Sequence, residues 1–391
     1  MTAVEANGRL YAPPGTPTAV VCLDGVDPRY IDDAFERGLV PRLREMTEQG
    51  VYARGRSQLP SFTNPNNLSI VTGAPPSVHG LPGNHYLAPS GEELQLTDPT
   101  ALRAPSIHAA FELAGVSVLA VTTKDKLRLL LGNGHVPAVS AEKAAELELA
   151  AYGPVSRFVS RPVPSIYDWD VSHYALELGL GLAEPLEVEL LYVSLTDYVQ
   201  HSAAPGEELS DAYLQRLDEL VGRYLDAGWR LGLVADHGMN AKPDVRWLGE
   251  VLPASAHVVL PITDPYVVHH AALGSACWVH VPAEELDASR DALLAVEGVE
   301  EVLTRDEAAE SLSLPADRIG DLVVLADART ALGKTEAEHD LSALRGPLRS
   351  HGGRHEQEVP ILLSEKPTGA RAELLERGAS NMDVHWLLLG E

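Results

Sequence analysis

Short runs of apolar and β-branched residues recur along the chain, and each of them stops at a charged residue. Four such runs cover 18–23, 116–123, 190–196 and 230–235. Continuous apolar runs of this length, alternating with helical patterns, are typical of buried parallel strands in βαβ units. The pattern therefore predicts an α/β fold with a mostly parallel central sheet flanked by helices.

Helical patterns fill the stretches between these runs. Apolar positions three and four residues apart, or a composition rich in Ala and Glu, predict helices over 33–49, 141–151 and 207–226. A further helix is predicted to begin at Thr63 in the sequence TNPNNLSIV. Taken alone, Thr63 is best interpreted as the N-cap of that helix, because Thr is a favoured cap and Pro is tolerated in a first turn.

The pattern changes between residues 244 and 345. Short strand-like pieces such as HVVLPI and ACWVHV occur there, followed by the helical stretch ELDASRDALLAV. We expect an inserted α+β cap domain over 244–345. The rest of the chain, 1–243 and 346–391, is predicted to form a metal-binding core to which the segment SHGGRHEQEVPILLS returns.

Composition narrows the class of protein. The 391 residues are 45% hydrophobic and 22% charged, which is an ordinary globular balance. The formal charge of −26 would repel phosphate backbones and anionic lipids, so neither a nucleic acid nor a membrane is expected as a partner. A small anionic substrate stays compatible with a locally positive site.

The cysteine content and the lack of targeting patterns indicate the cellular compartment that we expect. The two cysteines, Cys22 and Cys277, make a disulfide framework or a thiolate metal site improbable. The start of the sequence has no basic and apolar leader pattern, and no stretch reaches the roughly 20 apolar residues of a membrane span. We therefore expect a cytoplasmic protein, and the sequence leaves its oligomeric state open, a homodimer included.

The strand ends carry the candidate chemistry. The four runs stop at Asp24, at Lys124, at Asp197 and at the pair Asp236 and His237. The carboxyl ends of parallel strands share one edge of a sheet, and ligands bind in the crevice there. One terminal Asp is usually a turn residue. Four charged strand ends together indicate a functional site.

Carboxylates and imidazoles at these positions are the donors that zinc and similar divalent metals accept. Asp197 and His201 are four residues apart, so one helical turn would place both on one face. Asp236 and His237 are adjacent, and Gly238 permits a sharp departure of the chain after them. Seven donors can be assembled in all: Asp24, Thr63, Asp197, His201, Asp236, His237 and His351. This number is about what two metals need.

A metal gives Thr63 a role that capping does not. A hydroxyl becomes a nucleophile when a coordinated metal lowers its pKa. At the start of a helix, backbone N–H groups also point towards an anion that such a nucleophile would attack.

The order of the motifs resembles the alkaline phosphatase superfamily, in its nucleotide pyrophosphatase/phosphodiesterase-like branch. The similarity runs from residue 18 to about residue 365 and includes Asp24, the Thr63 segment SFTNPNNLSIVTG, then DxxxH, DHG and a late HGG. Within that branch the sequence is most similar to the phosphonoacetate hydrolases, because GNHY supplies Asn84 and TTKDK supplies Lys124 and Lys126.

The resemblance implies two Zn²⁺ ions per chain, with Mn²⁺ or Fe²⁺ as other candidate metals. By resemblance, one ion is held by Asp197, His201 and His351, and the other by Asp24, Asp236, His237 and Thr63. The implied reaction is hydrolysis of the carbon–phosphorus bond of phosphonoacetate to acetate and phosphate, with a phosphothreonine at Thr63. Asn84, Lys124 and Lys126 are the implied substrate-binding residues.

The role of the two lysines can also be assessed independently of the family resemblance. Lysines at a strand end are usually solvated, but Lys124 and Lys126 would point the same way if the strand continued to residue 126. Two ammonium groups beside a metal site suit a substrate with a second negative group. A nucleotide pyrophosphatase or phosphodiesterase would use the same metal ligands, and a non-catalytic metal-binding protein is the alternative from a different class.

Overall fold

Strands and helices alternate along most of the chain. The computed structural model describes residues 2–262, 272–339, 341–344 and 347–391. The strands are β1 (Val4–Ala6), β2 (Arg9–Tyr11), β3 (Thr18–Cys22), β4 (Val51–Arg56), β5 (His85–Leu87), β6 (Glu93–Gln95), β7 (Val118–Thr122), β8 (Ala138–Ser140), β9 (Glu148–Leu149), β10 (Gly153–Pro154), β11 (Leu190–Ser194), β12 (Arg230–Val234), β13 (Asn240–Ala241), β14 (Asp244–Trp247), β15 (His257–Val259), β16 (Ala276–His280), β17 (Val299–Thr304), β18 (Leu322–Ala326), β19 (Thr330–Gly333), β20 (Arg349–Ser350) and β21 (Glu358–Leu363). The α-helices are α1 (Pro28–Glu36), α2 (Pro41–Gln49), α3 (Thr63–Thr72), α4 (Pro76–His79), α5 (Ile107–Leu113), α6 (Asp125–Leu131), α7 (Val171–Ala183), α8 (Tyr198–Ser202), α9 (Glu208–Asp226), α10 (Leu286–Leu294), α11 (Arg305–Ser311), α12 (Ala370–Gly378) and α13 (Val384–Leu389).

The central sheet has seven strands in the order β4, β21, β12, β3, β11, β7, β8. The strands from β12 to β8 pair in parallel, and β21 pairs antiparallel with both of its neighbours. Every residue of β3, β7 and β11 is buried, which explains why these strands are continuously apolar. The predicted α/β fold with a mostly parallel central sheet is confirmed.

The register of this sheet aligns the strand ends. Val234, Cys22, Ser194 and Thr122 lie side by side in one row across β12, β3, β11 and β7. Each of these residues is the last of its strand, so the four following loops leave the sheet at the same edge.

Two predicted helices are wrong and one is confirmed. The helix predicted over 207–226 is α9. The helix predicted over 33–49 is divided into α1 and α2, because Gly38 adopts a left-handed φ of 69° and Pro41 starts the second helix. Over 141–151 the chain instead forms turns and the short strand β9, since the backbone N–H groups of residues 141 and 142 bond to the carbonyls at the end of β7.

A second, four-stranded antiparallel sheet lies within the segment predicted as a cap. Its order is β15, β16, β18, β17, and apolar clusters cover both of its faces. Phe62, which precedes Thr63, packs into one of these clusters. The division into a core and a cap over 244–345 stays a prediction, and residues 263–271, 340 and 345 of that segment lie outside the described residues.

No helix in the described ranges is both long enough and apolar enough to cross a bilayer.

Candidate active site

The aligned strand ends place charged side chains next to one another. Asp24, Lys124 and Asp236 each lie two residues beyond the aligned row, and Asp197 lies three residues beyond it. Because these offsets from the aligned row differ by at most one residue, all four side chains lie at one edge of the sheet. The register therefore brings together side chains that are far apart in sequence.

Asp197 forms the first candidate metal group with His201 and His351. Asp197 is the N-cap residue of α8, and one turn later His201 Nε2 lies 2.9 Å from Asp197 Oδ2. His351 Nε2 lies 3.6 Å from the same oxygen. All three residues are buried, and their donor atoms lie within 4.8 Å of one another.

The second group surrounds His237. Its Nε2 atom lies 3.2 Å from Asp24 Oδ1 and 3.8 Å from Asp236 Oδ2. The carboxylate of Asp197 also falls within 4.8 Å of the donor atoms of Asp24 and His237. Asp197 thus lies between the two groups, whereas the resemblance assigns it to the first alone.

Backbone carbonyls orient the three imidazoles. Nδ1 of His201 lies 2.7 Å from Arg349 O, Nδ1 of His237 lies 2.9 Å from Gly238 O, and Nδ1 of His351 lies 2.8 Å from Ser61 O. A carbonyl oxygen only accepts, so each Nδ1 donates the proton. In its neutral form each ring therefore presents the Nε2 lone pair to the carboxylates, as metal-binding histidines do.

The charges of the site favour a bound cation. Burial and the neighbouring Asp197 and Asp236 carboxylates raise the pKa of Asp24 well above its usual range. Burial alone would lower the pKa of His237, but Asp236 and Asp24 outweigh it and raise that pKa to about 10. The proton and a metal ion compete for the same Nε2 lone pair, so this raised pKa reports a strong attraction for positive charge at that atom.

Asp24 shows most clearly that the donor set suits a metal. Its side chain is fully buried, and within the described part of the chain neither carboxylate oxygen has a hydrogen-bond donor of suitable geometry. A buried carboxylate without donors is costly unless a cation balances it. Oxygen and imidazole donors in this number fit divalent metals such as zinc.

Thr63 lies beside this site at the start of α3, although it is not the N-cap residue. The N-cap is Phe62, which makes no side-chain capping bond, and Thr63 is the first helical residue. Thr63 Oγ1 lies 3.2 Å from His237 Nε2. The prediction that Thr63 is the N-cap residue is therefore wrong by one position. The Thr63 hydroxyl faces the second candidate metal group instead.

The predicted arrangement of the two lysines is also corrected. β7 ends at Thr122, Lys124 is the N-cap residue of α6, and Lys126 lies in the first turn of that helix. The strand does not continue to residue 126, so the alternation argument fails. Both lysines nevertheless line one cavity with Thr63, and Lys124 Nζ lies 3.6 Å from Asp197 Oδ1.

Asn84 enters the same cavity from the loop before β5. Its backbone N–H donates to Pro261 O at 2.7 Å, and its Nδ2 lies 3.5 Å from Ile262 O. Its Oδ1 is buried without a donor in the described ranges. The described residues that line the cavity are Asp24, Phe62, Thr63, Asn64, Asn84, Gln95, Thr97, Thr122, Thr123, Lys124, Lys126, Leu127, Leu195, Asp197, Ile262 and His351.

Several lining residues were missed by sequence reasoning. Gln95 and Thr97 follow Asn84 through the β5–β6 hairpin, and nothing in their local pattern distinguishes them from ordinary hairpin residues.

Arg354 and His355, which follow the late HGG, do not line the cavity. They pair with Glu301 and Glu300, respectively.

Comparisons with known proteins agree with this geometry. Residues 18–355 match the family model of type I phosphodiesterases and nucleotide pyrophosphatases. The chain belongs to this family, which is metal-dependent.

Phosphonoacetate hydrolase from Sinorhizobium meliloti 1021 is a similar protein of known structure. It is 40% identical, with a TM-score of 0.91 over 98% of both chains, and it has been crystallised with phosphonoformate and with phosphonoacetate. This likeness agrees with the resemblance read from the motifs around Asn84 and the lysine pair.

Two curated relatives match a smaller part of the chain. An uncharacterised pyrophosphatase/phosphodiesterase of Schizosaccharomyces pombe is 24% identical over 61% of this chain and 48% of its own length. Mouse ectonucleotide pyrophosphatase/phosphodiesterase family member 1 is 27% identical over 57% of this chain and 24% of its own length. The matched region spans about half or less of these relatives.

Proposed function

We propose that this protein hydrolyses the carbon–phosphorus bond of phosphonoacetate to acetate and phosphate, with Thr63 as the nucleophile. The observation that carries the proposal is one cavity lined by Thr63, by Asp24 and Asp197 from the two candidate metal groups, and by Lys124 and Lys126. The 40% identity to a hydrolase crystallised with phosphonoacetate supports the same substrate.

Two groups of side chains would hold the metals. One consists of Asp197, His201 and His351, and the other of Asp24, Asp236, His237 and Thr63. Zinc is the proposed ion at both. Bound there, divalent ions supply Lewis-acid polarisation of phosphoryl oxygens and lower the pKa of a hydroxyl or water beside them.

The first half-reaction transfers the phosphoryl group to Thr63. Thr63 Oγ1 releases its proton to water and attacks phosphorus. The C–P bond breaks, and the electron pair of that bond passes to the methylene carbon and onto the carboxylate oxygens. A proton from water then completes acetate. Lys124 and Lys126 place positive charge near the developing enolate, and charge placed in advance stabilises a transition state. Asn84, which lines the same cavity, would donate an amide N–H to a phosphonate oxygen.

The second half-reaction regenerates the enzyme. Water attacks the phosphorus of phosphothreonine 63, and the P–Oγ1 bond breaks. One proton of the water restores the Thr63 hydroxyl, and the other leaves with hydrogen phosphate. Acetate has gone by this stage, so the lysines have no leaving group to stabilise. The residues that hold the phosphoryl group act in both half-reactions, whereas the lysines act mainly in the first.

A nucleotide pyrophosphatase or phosphodiesterase activity is the second candidate, because the family model and the curated relatives carry that name. A diester site usually offers aromatic surface to a base. Among the described residues that line the cavity, Phe62 is the one aromatic side chain. The lining therefore favours a small acid over a nucleotide.

A substrate panel tests the proposal. Zinc-loaded protein is incubated with phosphonoacetate, phosphonopyruvate, aminoethylphosphonate and a nitrophenyl phosphodiester, and phosphate, acetate and nitrophenol are measured. We expect phosphonoacetate to have the highest kcat/KM and a chelator to abolish turnover. A preference for the diester would overturn the proposed substrate, and no turnover of any compound would favour a non-catalytic metal-binding protein.

A further inference from the structure

Behind the candidate ligands lies a chain of buried hydrogen bonds that connects Tyr192, Asn67, Thr63 and Asp236. Asn67 is one helical turn after Thr63 on α3, and Tyr192 lies in the middle of β11. Asn67, Tyr192 and Asp236 are all 0% exposed. None of the steps described above uses Asn67 or Tyr192.

The side-chain amide of Asn67 makes hydrogen bonds to three residues of this chain of hydrogen bonds. Its Nδ2 donates to Thr63 O at 2.9 Å and to Asp236 Oδ2 at 3.1 Å. Its Oδ1 accepts from the Tyr192 hydroxyl at 2.7 Å. Both amide protons and one oxygen lone pair are therefore engaged, which is most of what an amide side chain offers.

This arrangement fixes the orientation of the amide. If Nδ2 and Oδ1 were exchanged, Oδ1 would face the Thr63 carbonyl and the Asp236 carboxylate, and three acceptors would meet without a proton. The Tyr192 hydroxyl can donate only to the oxygen, so it favours the observed orientation. Ring contacts with His108 and His385, at centroid distances of 6.1 and 6.2 Å, hold the phenol in place.

The carboxylate of Asp236 is held from two directions. Its Oδ1 accepts from the backbone N–H of His237 at 3.0 Å and from that of Gly25 at 3.3 Å, and its Oδ2 accepts from Asn67. Asp24 lacks such donors, as described above. Asn67 thus couples the carboxylate of a candidate metal ligand to the helix that bears the proposed nucleophile.

We infer that Tyr192 and Asn67 form a positioning pair that fixes the Asp236 carboxylate relative to Thr63. The inference rests on the proposed function for its catalytic consequence, but its consequence for metal binding does not. Partners that orient metal ligands typically change metal affinity or activity by 10- to 100-fold when they are removed.

The test compares Asn67→Leu and Tyr192→Phe with the matched control Tyr224→Phe. Tyr224 is equally buried, and its hydroxyl donates to Leu176 O at 2.9 Å on a different helix. Zinc affinity is measured by competition with a chelator, without substrate. Melting temperatures of the chelated proteins report whether each variant folds.

We expect Asn67→Leu to weaken binding of one of the two zinc equivalents by about 10- to 100-fold. Tyr192→Phe removes only the hydroxyl that orients the amide, and it should weaken binding of the same zinc equivalent by about 3- to 10-fold. In turnover assays kcat should fall with KM nearly unchanged, because geometry and not substrate contact is altered. If Asn67→Leu does not fold, Tyr192→Phe still gives the answer.

Zinc affinities within about twofold of wild type in the folded Asn67 and Tyr192 variants would overturn the inference. An equal loss in Tyr224→Phe would also overturn it, because any buried hydroxyl would then have the same effect. Should wild type fail on phosphonoacetate, the proposed function fails. The zinc titrations would still decide whether the pair positions Asp236.

Discussion

The two ends of the cavity are built in different ways. The end at the sheet consists of buried side chains on aligned strand ends, and Asp197 has a side chain only 4% exposed. The lysine end adjoins it, because Lys124 Nζ lies 3.6 Å from Asp197 Oδ1. It consists of Lys124, the N-cap residue of α6, and Lys126 in the first turn of that helix, and the Lys124 side chain is 37% exposed. The first end is fixed by the register of the sheet and by backbone carbonyls that orient each imidazole.

This difference separates two tasks. In the proposed function, buried carboxylates and imidazoles at fixed spacing bind the metals and support phosphoryl transfer. Partly exposed lysines at the start of a separate helix can change without disturbing the sheet, so under the proposed function they are the residues that select the leaving group. Changes at the sheet end should therefore affect every substrate, and changes at the lysine end should affect phosphonoacetate selectively.

The largest effect is expected at Thr63. Thr63→Ala removes the nucleophile, so kcat should fall by about 10⁴-fold or more on phosphonoacetate and on an aryl phosphate alike. Zinc content, measured by atomic emission, should stay near the wild-type value because three other candidate ligands of that metal remain. Thr63→Ser keeps a hydroxyl and should retain part of the activity. Undiminished turnover of Thr63→Ala would exclude Thr63 as the nucleophile.

Asp24→Asn should have opposite effects on stability with and without metal. Three buried carboxylates repel one another, and the raised pKa of Asp24 means that its charge destabilises the fold at neutral pH. The variant with chelator should gain about 1 kcal/mol or more, since one pKa unit corresponds to about 1.4 kcal/mol.

With zinc, the Asp24→Asn variant loses a charged ligand and should bind the metal at least about 100-fold more weakly. Thermal unfolding of wild type and variant, each with zinc and with chelator, measures both effects. A variant that is less stable than wild type in chelator would contradict the electrostatic account of this site.

Lys126→Met tests the other end of the cavity. Loss of one preorganised positive charge should lower kcat/KM for phosphonoacetate by about 100-fold. An aryl phosphate, whose leaving group needs no such help, should lose about threefold or less. Arg128→Met is the matched control, because Arg128 lies on the same helix and pairs with Asp125. Equal losses on both substrates would remove the distinction between the two ends.

The smallest effect concerns acid stability. Burial lowers the pKa of His79 to about 3 and that of His385 to about 4. The unfolded chain therefore binds more protons than the folded chain between about pH 6.5 and pH 4, and the free energy of unfolding falls as the pH falls. Each histidine contributes up to about 1.4 kcal/mol per pH unit in that window.

His385→Gln should reduce this pH dependence in urea unfolding between pH 7 and pH 5. His135→Gln, at an exposed position, is the control and should leave the dependence unchanged. An identical slope in wild type and His385→Gln would show that His385 does not titrate in this way.

Hydrophobic patterning predicted the sheet end of the cavity well. Continuous apolar strands have few alternative placements, and parallel pairing brings their carboxyl ends to one edge. Asp24, Asp197 and Asp236 could therefore be grouped without coordinates. Asn67 and Tyr192 were missed because a single polar residue in a buried helix or strand does not reveal its partner. An Asn one helical turn after Thr63 was the available signal.

Local conformation was less predictable. A left-handed Gly38 divided one predicted helix, and hydrogen bonds to the end of β7 replaced another, since pairing with a neighbour overrides helix propensity. The lysine pair was predicted at the correct place for an incorrect reason, because α6 begins immediately after the strand. Helical and extended backbones can both bring residues 124 and 126 to one cavity.

The most direct test of the two separate tasks is a rapid-quench measurement of acetate and phosphate in the first turnover of wild type and Lys126→Met. Acetate reports formation of phosphothreonine 63, and phosphate reports its hydrolysis. The account predicts that Lys126→Met slows acetate release and leaves the subsequent hydrolysis rate unchanged. Equal slowing of both steps, or slowing of phosphate release alone, would contradict it.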